Sequence, residues 1–351
     1  MATACEVVQP SPGLFLDTRR REEPFLWDIS NSPELLDLRT CILSGLSQTA
    51  KAIPSLLLWD EQGLRNFNEW ADSPHYYLKS KEMEIFETWR DQMANALPHR
   101  SALVELGCGN LHKTSIILSA LARQGKQVWY YALDVSKSAL RQSLQFLHEE
   151  FMYCPNVRIA GLIGTYDDCV DWVAHNTSTL HGLPATFLWV GNSMPNLSKT
   201  EASDLMNNFR RACGVAGISC RFLVSADACA DESRLLKAYD PEAGTSRTFL
   251  RHGLHRAKTL LGTDSFEEEV WNCTVEYDRK ENEILAFYSP RVDVILAVDL
   301  TVHKGDKIFF FRSGKWNESQ METIAHQAGG FQVSHVWRDS NEEYGFYLLS
   351  S

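Results

Sequence analysis

The sequence has no run of residues long and apolar enough to cross a bilayer: stretches such as VILAV at 294–298 are only strand-length. The first residues, MATACEVVQPSPG, lack the basic and apolar regions of a signal peptide, so a cytoplasmic protein is expected. Positive charge is scarce. The 34 Lys and Arg are outnumbered by 45 Asp and Glu, for a net charge of -11. That balance argues against nucleic acid or an anionic membrane as the main partner, because phosphate binding needs a basic surface. The nine cysteines are scattered with no C-x-x-C pair, and the histidines show no ligand spacing. Neither a disulfide framework nor a metal site is expected, and free thiols fit a reducing compartment. Internal repeats and low-complexity tracts are also missing.

A chain of 351 residues exceeds the usual single core, so one large or two intertwined domains are expected. Residues 1–24 are polar and punctuated by proline, which reads as a flexible tail. Residues 33–70 have apolar positions near 3.6-residue spacing, with Ser30 or Ser32 available as a helix cap. From about 81 the pattern alternates. Helices are expected at 81–96, 112–124, 136–150, 167–175 and 199–213, with strands at 102–106, 128–133, 157–162, 186–191 and 220–225. Alternation of this kind implies βαβ units and a doubly wound parallel sheet, an α/β fold. The rhythm breaks at 230. One helix near 232–261 precedes four successive strand patterns, and 317–351 returns to α/β.

The stretch ALVELGCGNLHKTSIIL, residues 102–118, reads as strand, tight glycine turn and helix. Ligands of such sheets bind at the carboxyl ends of the strands, and Gly107 and Gly109 let one approach the backbone. The next strand ends in Asp134, placed to accept from ribose hydroxyls. A dinucleotide turn asks for a third glycine, where this chain has His112. A methyltransferase turn asks for an acid before two glycines, and Glu105 in ELGCG supplies it. As alternatives, Asp134 serves only as a helix-capping acid, or the sheet carries a nicotinamide-dependent oxidoreductase.

Several further motifs stand in order along the chain: LLLWDEQGLRNFNEW, HYYLKSKEMEI, YYALDVS, WVGNSMPNLS, LLKAYDPEAGTS and KIFFFRSGKW. With the glycine turn they make the chain resemble the histidine-specific N-methyltransferase family. That family includes the ergothioneine-pathway histidine N-α-methyltransferase and the fungal 4-dimethylallyltryptophan N-methyltransferases. The resemblance runs from about 35 to 351. It implies a Rossmann-like class I methyltransferase core at 81–229 and 315–351, which binds S-adenosylmethionine and releases S-adenosylhomocysteine. It also implies a second, α+β substrate-binding domain at 25–80 and 230–314. The partner implied is a small amino acid or amine, and a monomer is favoured.

The resemblance also implies roles. Glu105, Gly107, Gly109, Lys113, Asp134, Thr165 and Tyr166 match cofactor-binding positions. Tyr77, Asn196 and Tyr239 match the residues that hold the substrate's amine and carboxylate, and so count as catalytic as well as substrate-binding. The family has glycine before that asparagine, whereas this chain has Pro195. Trp59, Leu285, Phe311 and Ser313 match positions around the substrate side chain. Phe311 stands where the ergothioneine enzyme has the glutamate that accepts from imidazole. A tryptophan-like acceptor, as in alkaloid biosynthesis, is therefore expected over histidine. The register of 309–311 stays open by one residue, and a slip would turn Phe311 to the other face. A methyltransferase-like module without catalysis is the alternative outside enzymology.

Overall fold

The computed structural model describes residues 25–31, 37–109, 111–176, 180, 182–240, 245–297 and 300–351, so the tail expected at 1–24 lies outside the described residues. An eight-stranded sheet is built from β1 (Phe25–Asp28), β2 (Ser101–Leu106), β3 (Val128–Asp134), β4 (Val157–Ile163), β5 (Ala185–Trp189), β6 (Cys220–Asp227), β12 (Gln332–Arg338) and β13 (Tyr344–Ser350). Its order is β1-β4-β3-β2-β5-β6-β13-β12. The six strands from β1 to β6 run parallel, and β13 is antiparallel to β6 and β12. β2 and β5 are buried along their whole length. Strands covered on both faces read as continuous apolar runs, which is why periodicity found them.

Helices cover both faces. α3 (Tyr77–Ala96), α4 (His112–Arg123) and α5 (Lys137–Phe151) bury Phe86, Leu118 and Leu144 with Leu103 and Tyr130 of the sheet. α6 (Tyr166–His175), α7 (Lys199–Ala216) and the helix Glu318–Gln327 bury Val173, Phe209 and Ile324 with Phe187 and Phe222. Each fully buried side chain of this size contributes about 1.5–3 kcal/mol over an exposed one.

Three sequence expectations change. The strand Phe25–Asp28 pairs with β4, so the first four residues assigned to the substrate-binding domain extend the large sheet instead. Four residues carry too little pattern to reveal a strand, and the strand they pair with is distant in sequence. The helical stretch at 33–70 is broken: α1 (Leu38–Ser47) is followed by a short turn of helix at Ser55–Leu58 and by α2 (Glu61–Ala71). Pro54 precedes that turn, and the cap of α1 is Asp37, which accepts from the Thr40 amide at 3.1 Å, in place of Ser30; Ser32 lies outside the described residues. The long helix near 232–261 is two helices, α8 (Glu232–Tyr239) and α9 (Thr245–Leu261). Pro241 and Gly244 between them in sequence are helix-breaking residue types.

A small antiparallel sheet has the order β11 (Ile308–Gly314), β8 (Glu283–Pro290), β7 (Trp271–Asp278). β9 (Val294–Ala297) and β10 (Leu300–Val302) form a separate ribbon. The Ile53 amide donates to the Phe309 carbonyl at 2.9 Å, and the Phe309 amide to the Lys51 carbonyl at 3.0 Å. The segment after α1 thus closes on the edge of the small sheet. Gly63, inside the first turn of α2, allows a close approach: a Cβ there would overlap the Leu58 carbonyl. Gly63→Ala is expected to destabilise the protein by about 1–3 kcal/mol. Urea unfolding checks this, and an unchanged midpoint would contradict the packing.

Candidate active site

The sheet's chain order reverses between β2 and β5, so the loops that leave them diverge and open a crevice at the carboxyl edge. Gly107 and Gly109 turn the chain there with φ of +73° and +58°, a region where only glycine is unstrained. A Cβ on Gly107 would stand 3.2 Å from the Tyr166 hydroxyl, and one on Gly109 would meet nothing within 4 Å. The turn after β4 therefore comes close to the turn after β2.

Asp134 ends β3 and accepts from the Ser136 amide at 2.9 Å. Burial raises its carboxyl above the usual range, while the amides of Ser136, Gly109 and Val135 pull it back. Glu105 is buried. It accepts from the Tyr130 hydroxyl at 2.5 Å and from Thr114 at 2.7 Å, and burial pushes its carboxyl up to about 7. Its bonds thus tie β2 to β3 and α4. Lys113, in the first turn of α4, pairs with Glu82 of α3. Glu82 in turn accepts from the Gly191 amide at 2.6 Å and the Ser225 hydroxyl at 2.9 Å. The pair therefore spans the crevice from β2 to β5. Thr165 is the N-cap of α6 in a reciprocal box with Asp168, so its hydroxyl already donates to the Asp168 carboxylate and accepts from that residue's amide. The ring of Tyr166 meets Trp189 edge to face at 5.5 Å, and burial raises its phenol to about 12.

A second cluster lies where β6 meets the small sheet. Tyr77, the first residue of α3, donates to Asp227 at 2.5 Å. Asp227 ends β6 and pairs with Lys315 at 3.0 Å, both side chains being fully buried. Lys315 also donates to the Tyr239 hydroxyl and to Ser313 Oγ, each at 3.1 Å. The hydroxyls of Tyr239 and Ser313 are 2.8 Å apart, and Asn192 Nδ2 donates to Ser313 at 3.1 Å. Asn192 Oδ1 accepts from the Asp227 amide at 2.8 Å, which orients its amide group. Arg234 lies 3.9 Å over the Tyr77 ring.

The structure brings Tyr77, Tyr239, Ser313 and Phe311 together. Phe311 is buried, with its ring 6.4 Å from that of Tyr239. A β-bulge between Phe309 and Phe311 adds one residue, so Phe310 and Phe311 are both buried, and Phe310 stacks on Tyr288 at 3.8 Å. Strict alternation could not have placed them. Leu285 is a correction. It pairs across with Arg312, whereas Phe311 and Ser313 pair with Ala286 and Ile284. The pleat therefore puts Leu285 on the face opposite Phe311 and Ser313. Trp59 packs on Phe67 and Phe249, and Trp70 stands between Phe249 and Tyr239. An aromatic layer thus joins Trp59 to Tyr239. Asn196 ends the turn Met194–Asn196 and is half-buried; the amide that reaches Ser313 comes from Asn192.

Sequence reasoning missed Glu82, Asn192, Asp227 and Lys315. Glu82, Asn192 and Lys315 lie within motifs already singled out, and Asp227 sits at a strand's carboxyl end, where ligands of α/β sheets gather. No cluster of three or more potential metal ligands occurs among the described residues. Nor do the described residues contain a helix long and apolar enough to cross a membrane. None of the described cysteines is in a disulfide.

Comparison with known proteins bears on the family of the chain. The family model described as histidine-specific methyltransferase, SAM-dependent, matches residues 38–351. The N-methyltransferase dtpB of Aspergillus flavus is 39% identical over 88% of this chain and 87% of its own length. The 4-dimethylallyltryptophan N-methyltransferase easF of Epichloe festucae var. lolii is 29% identical over 91% of this chain and 99% of its own. Ergothioneine biosynthesis protein 1 of Neurospora crassa is 32% identical over 86% of this chain and 33% of its own.

Asp134→Ala is expected to weaken S-adenosylmethionine binding by about 1.5–3 kcal/mol, the worth of a charged hydrogen bond, without unfolding the protein. Calorimetric titration checks this, and an unchanged dissociation constant contradicts it. Glu105 yields a second test. Its carboxyl lies near 7 in the fold against an ordinary 4.5, so its stabilising contribution is full below about 4.5 and is lost as pH rises through about 7. Glu105→Gln keeps the uncharged form at every pH. The melting temperature of this variant relative to the wild type should therefore climb between about pH 5 and 8. A constant difference would contradict the shift.

Proposed function

Because the chain belongs to the histidine-specific, SAM-dependent methyltransferase family and is thereby an S-adenosylmethionine-dependent N-methyltransferase, we propose that its acceptor is the amino group of a tryptophan-like amino acid or derived amine. The cofactor supplies an electrophilic methyl group on a sulfonium. The residues present fit it. Gly107 and Gly109 leave the backbone approachable at the crevice, Asp134 offers a carboxylate to ribose hydroxyls, and Lys113 offers a cation to the carboxylate end. Tyr166 offers an aromatic face to the adenine. Thr165 keeps one lone pair for the adenine amine beyond its capping bonds.

The acceptor's amine and carboxylate fall to Tyr77, Tyr239 and Asn196, because phenols and amides hold polar groups in a buried setting without adding charge. Rate comes from holding the nitrogen in line with the methyl group and sulfur. No nucleophile on the chain is needed for a direct displacement.

One observation carries the choice of side chain: the buried ring of Phe311 beside Tyr239. Phe311 cannot accept from an imidazole N–H. An imidazole buried against it would leave a polar group unpaired at a cost of about 1–3 kcal/mol. A flat indole ring would gain area and aromatic contact there. Glu283, a carboxylate on the neighbouring strand β8, is engaged on the opposite face by Arg312 at 3.3 Å.

Turnover of histidine, tryptophan and 4-dimethylallyltryptophan at equal concentration, followed by mass spectrometry, tests the proposal. A tryptophan compound should be methylated fastest. A clear preference for histidine would overturn the side-chain reading and leave the N-methyltransferase activity intact. In the same assay, Asn196→Ala should raise KM for the amine at least tenfold more than KM for S-adenosylmethionine, about the 1.4 kcal/mol of one hydrogen bond. A loss confined to the cofactor would put the amine elsewhere.

A further inference from the structure

Transfer to an amine requires a lone pair on nitrogen, and the amines of free amino acids are mostly protonated near neutral pH. A proton must therefore leave the acceptor before each methyl group arrives. Among the described residues, no histidine belongs to the cluster around Tyr77 and Tyr239. Two buried carboxylates border it. Glu82 is occupied by Lys113, the Gly191 amide, Ser225 and Tyr344. Asp227 differs, because one of its bonds leads to a residue expected at the amine.

We propose that Asp227 receives the proton of the acceptor ammonium through the Tyr77 hydroxyl, making Asp227 a positioning and proton-holding residue for methyl transfer. This rests on the reading above of Tyr77 as an amine ligand. The partners of the Asp227 carboxyl are donors: Tyr77 Oη at 2.5 Å, Lys315 Nζ at 3.0 Å and the Cys229 amide at 3.0 Å. Asp227 is therefore a carboxylate. The three hydrogens of Lys315 go to Asp227, Tyr239 and Ser313, so none is left for substrate. Its task is to hold the Asp227 charge. Burial works against the lysine's charge, yet Tyr239 and Asp227 beside it keep its pKa above the ordinary value.

The polarity of Tyr77 follows. A phenol has one proton, and here it points at Asp227. Toward the substrate the oxygen offers only lone pairs, which suits an N–H and not a carboxylate. Arg234 over the ring holds that orientation. Burial, then the charge of Asp227, raises the Tyr77 phenol far above its ordinary value. It passes a proton on without resting as phenolate.

In the step itself, an N–H bond of the ammonium breaks and its electron pair stays on nitrogen. That proton binds Tyr77 Oη as the phenol's own O–H breaks and a new O–H forms on Asp227 Oδ2. Nothing is oxidised or reduced. Asp227 becomes a neutral carboxylic acid and, having no contact with water itself, gives the proton back through Tyr77 to water that enters the site as S-adenosylhomocysteine leaves, once per methyl group.

The titratable groups that face Asp227 are Tyr76 and Tyr77 from the start of α3, Tyr239 from α8, Tyr344 from β13, Cys229 beyond β6, and Lys315. Burial raises Tyr76, Tyr344 and Cys229 above their ordinary values, so these stay uncharged near neutral pH.

The test is the pH dependence of kcat for wild type, Tyr77→Phe and Asp227→Asn, on whichever amine of the panel the wild type methylates fastest. Wild-type kcat should level off near neutral pH. Both variants should lose about 100-fold there, then climb about tenfold per pH unit across the range where the wild type is flat. KM for S-adenosylmethionine should hold, and the double variant should be no slower than the slower single one. Asp227→Asn leaves Lys315 without a counter-charge. If it fails to fold, Tyr77→Phe, which keeps the ion pair, decides. Tyr77→Phe with the wild-type plateau, or with the same loss at every pH, overturns the relay. Failure of the tryptophan compounds alone sinks the substrate reading without touching this comparison.

Discussion

The ion pair between Asp227 and Lys315 has no contact with water. Burying two charges costs several kcal/mol each, and their attraction repays this only where the remaining donors and acceptors are met. Here they are. Lys315 bonds Asp227, Tyr239 and Ser313, and Asp227 bonds Lys315, Tyr77 and the Cys229 amide. These residues come from β6, α3, α8 and the end of β11. The pair can exist only when the large sheet and the small sheet are assembled around it. Loss of either charge strands the other in a dry interior, so the pair specifies how the pieces meet.

Glu82 has a similar role nearer the crevice between β2 and β5. Through Lys113 and the Gly191 amide it links the first glycine turn to the loop after β5. The crevice and the tyrosine cluster therefore share α3 as a common support, with Tyr77 in its first turn and Glu82 in its second. On the proposed reading, with the methyl donor in the crevice and the acceptor at the tyrosine cluster, one rigid helix keeps the two in register, which is what a reaction governed by alignment needs. The aromatic layer of Phe67, Trp70, Tyr76 and Phe249 backs Tyr239 and limits its movement.

Much of the fold was legible. The buried parallel strands are apolar throughout, and the helices between them repeat near 3.6 residues, so each announces itself locally. What escaped was short or interrupted: β1 with four residues, the break at Pro54, and the division of 232–261 into two helices. The site was only partly legible. Glycines in a turn and an acid at a strand end carry local signals, and the family resemblance pointed to Tyr77, Tyr239, Phe311 and Ser313. Asp227 shared the strand-end signal of Asp134, but nothing local marks it as half of an ion pair with Lys315, because a charged residue in sequence reads as solvated until its counter-charge is known.

The sequence by itself determined the α/β class, the crevice with Gly107, Gly109 and Asp134, and the methyltransferase family. These rest on periodicity, glycine geometry and ordered motifs, all local in the chain. Tertiary structure decided the rest. The bulge at Phe309–Phe311 turned two adjacent rings inward, the pleat removed Leu285 from their face, and Asn192 took the contact to Ser313. Asp227 and Lys315, 88 positions apart by their numbers (315 − 227), became one ion pair. Cross-strand register and burial are properties of pairs of segments, and no single segment contains them.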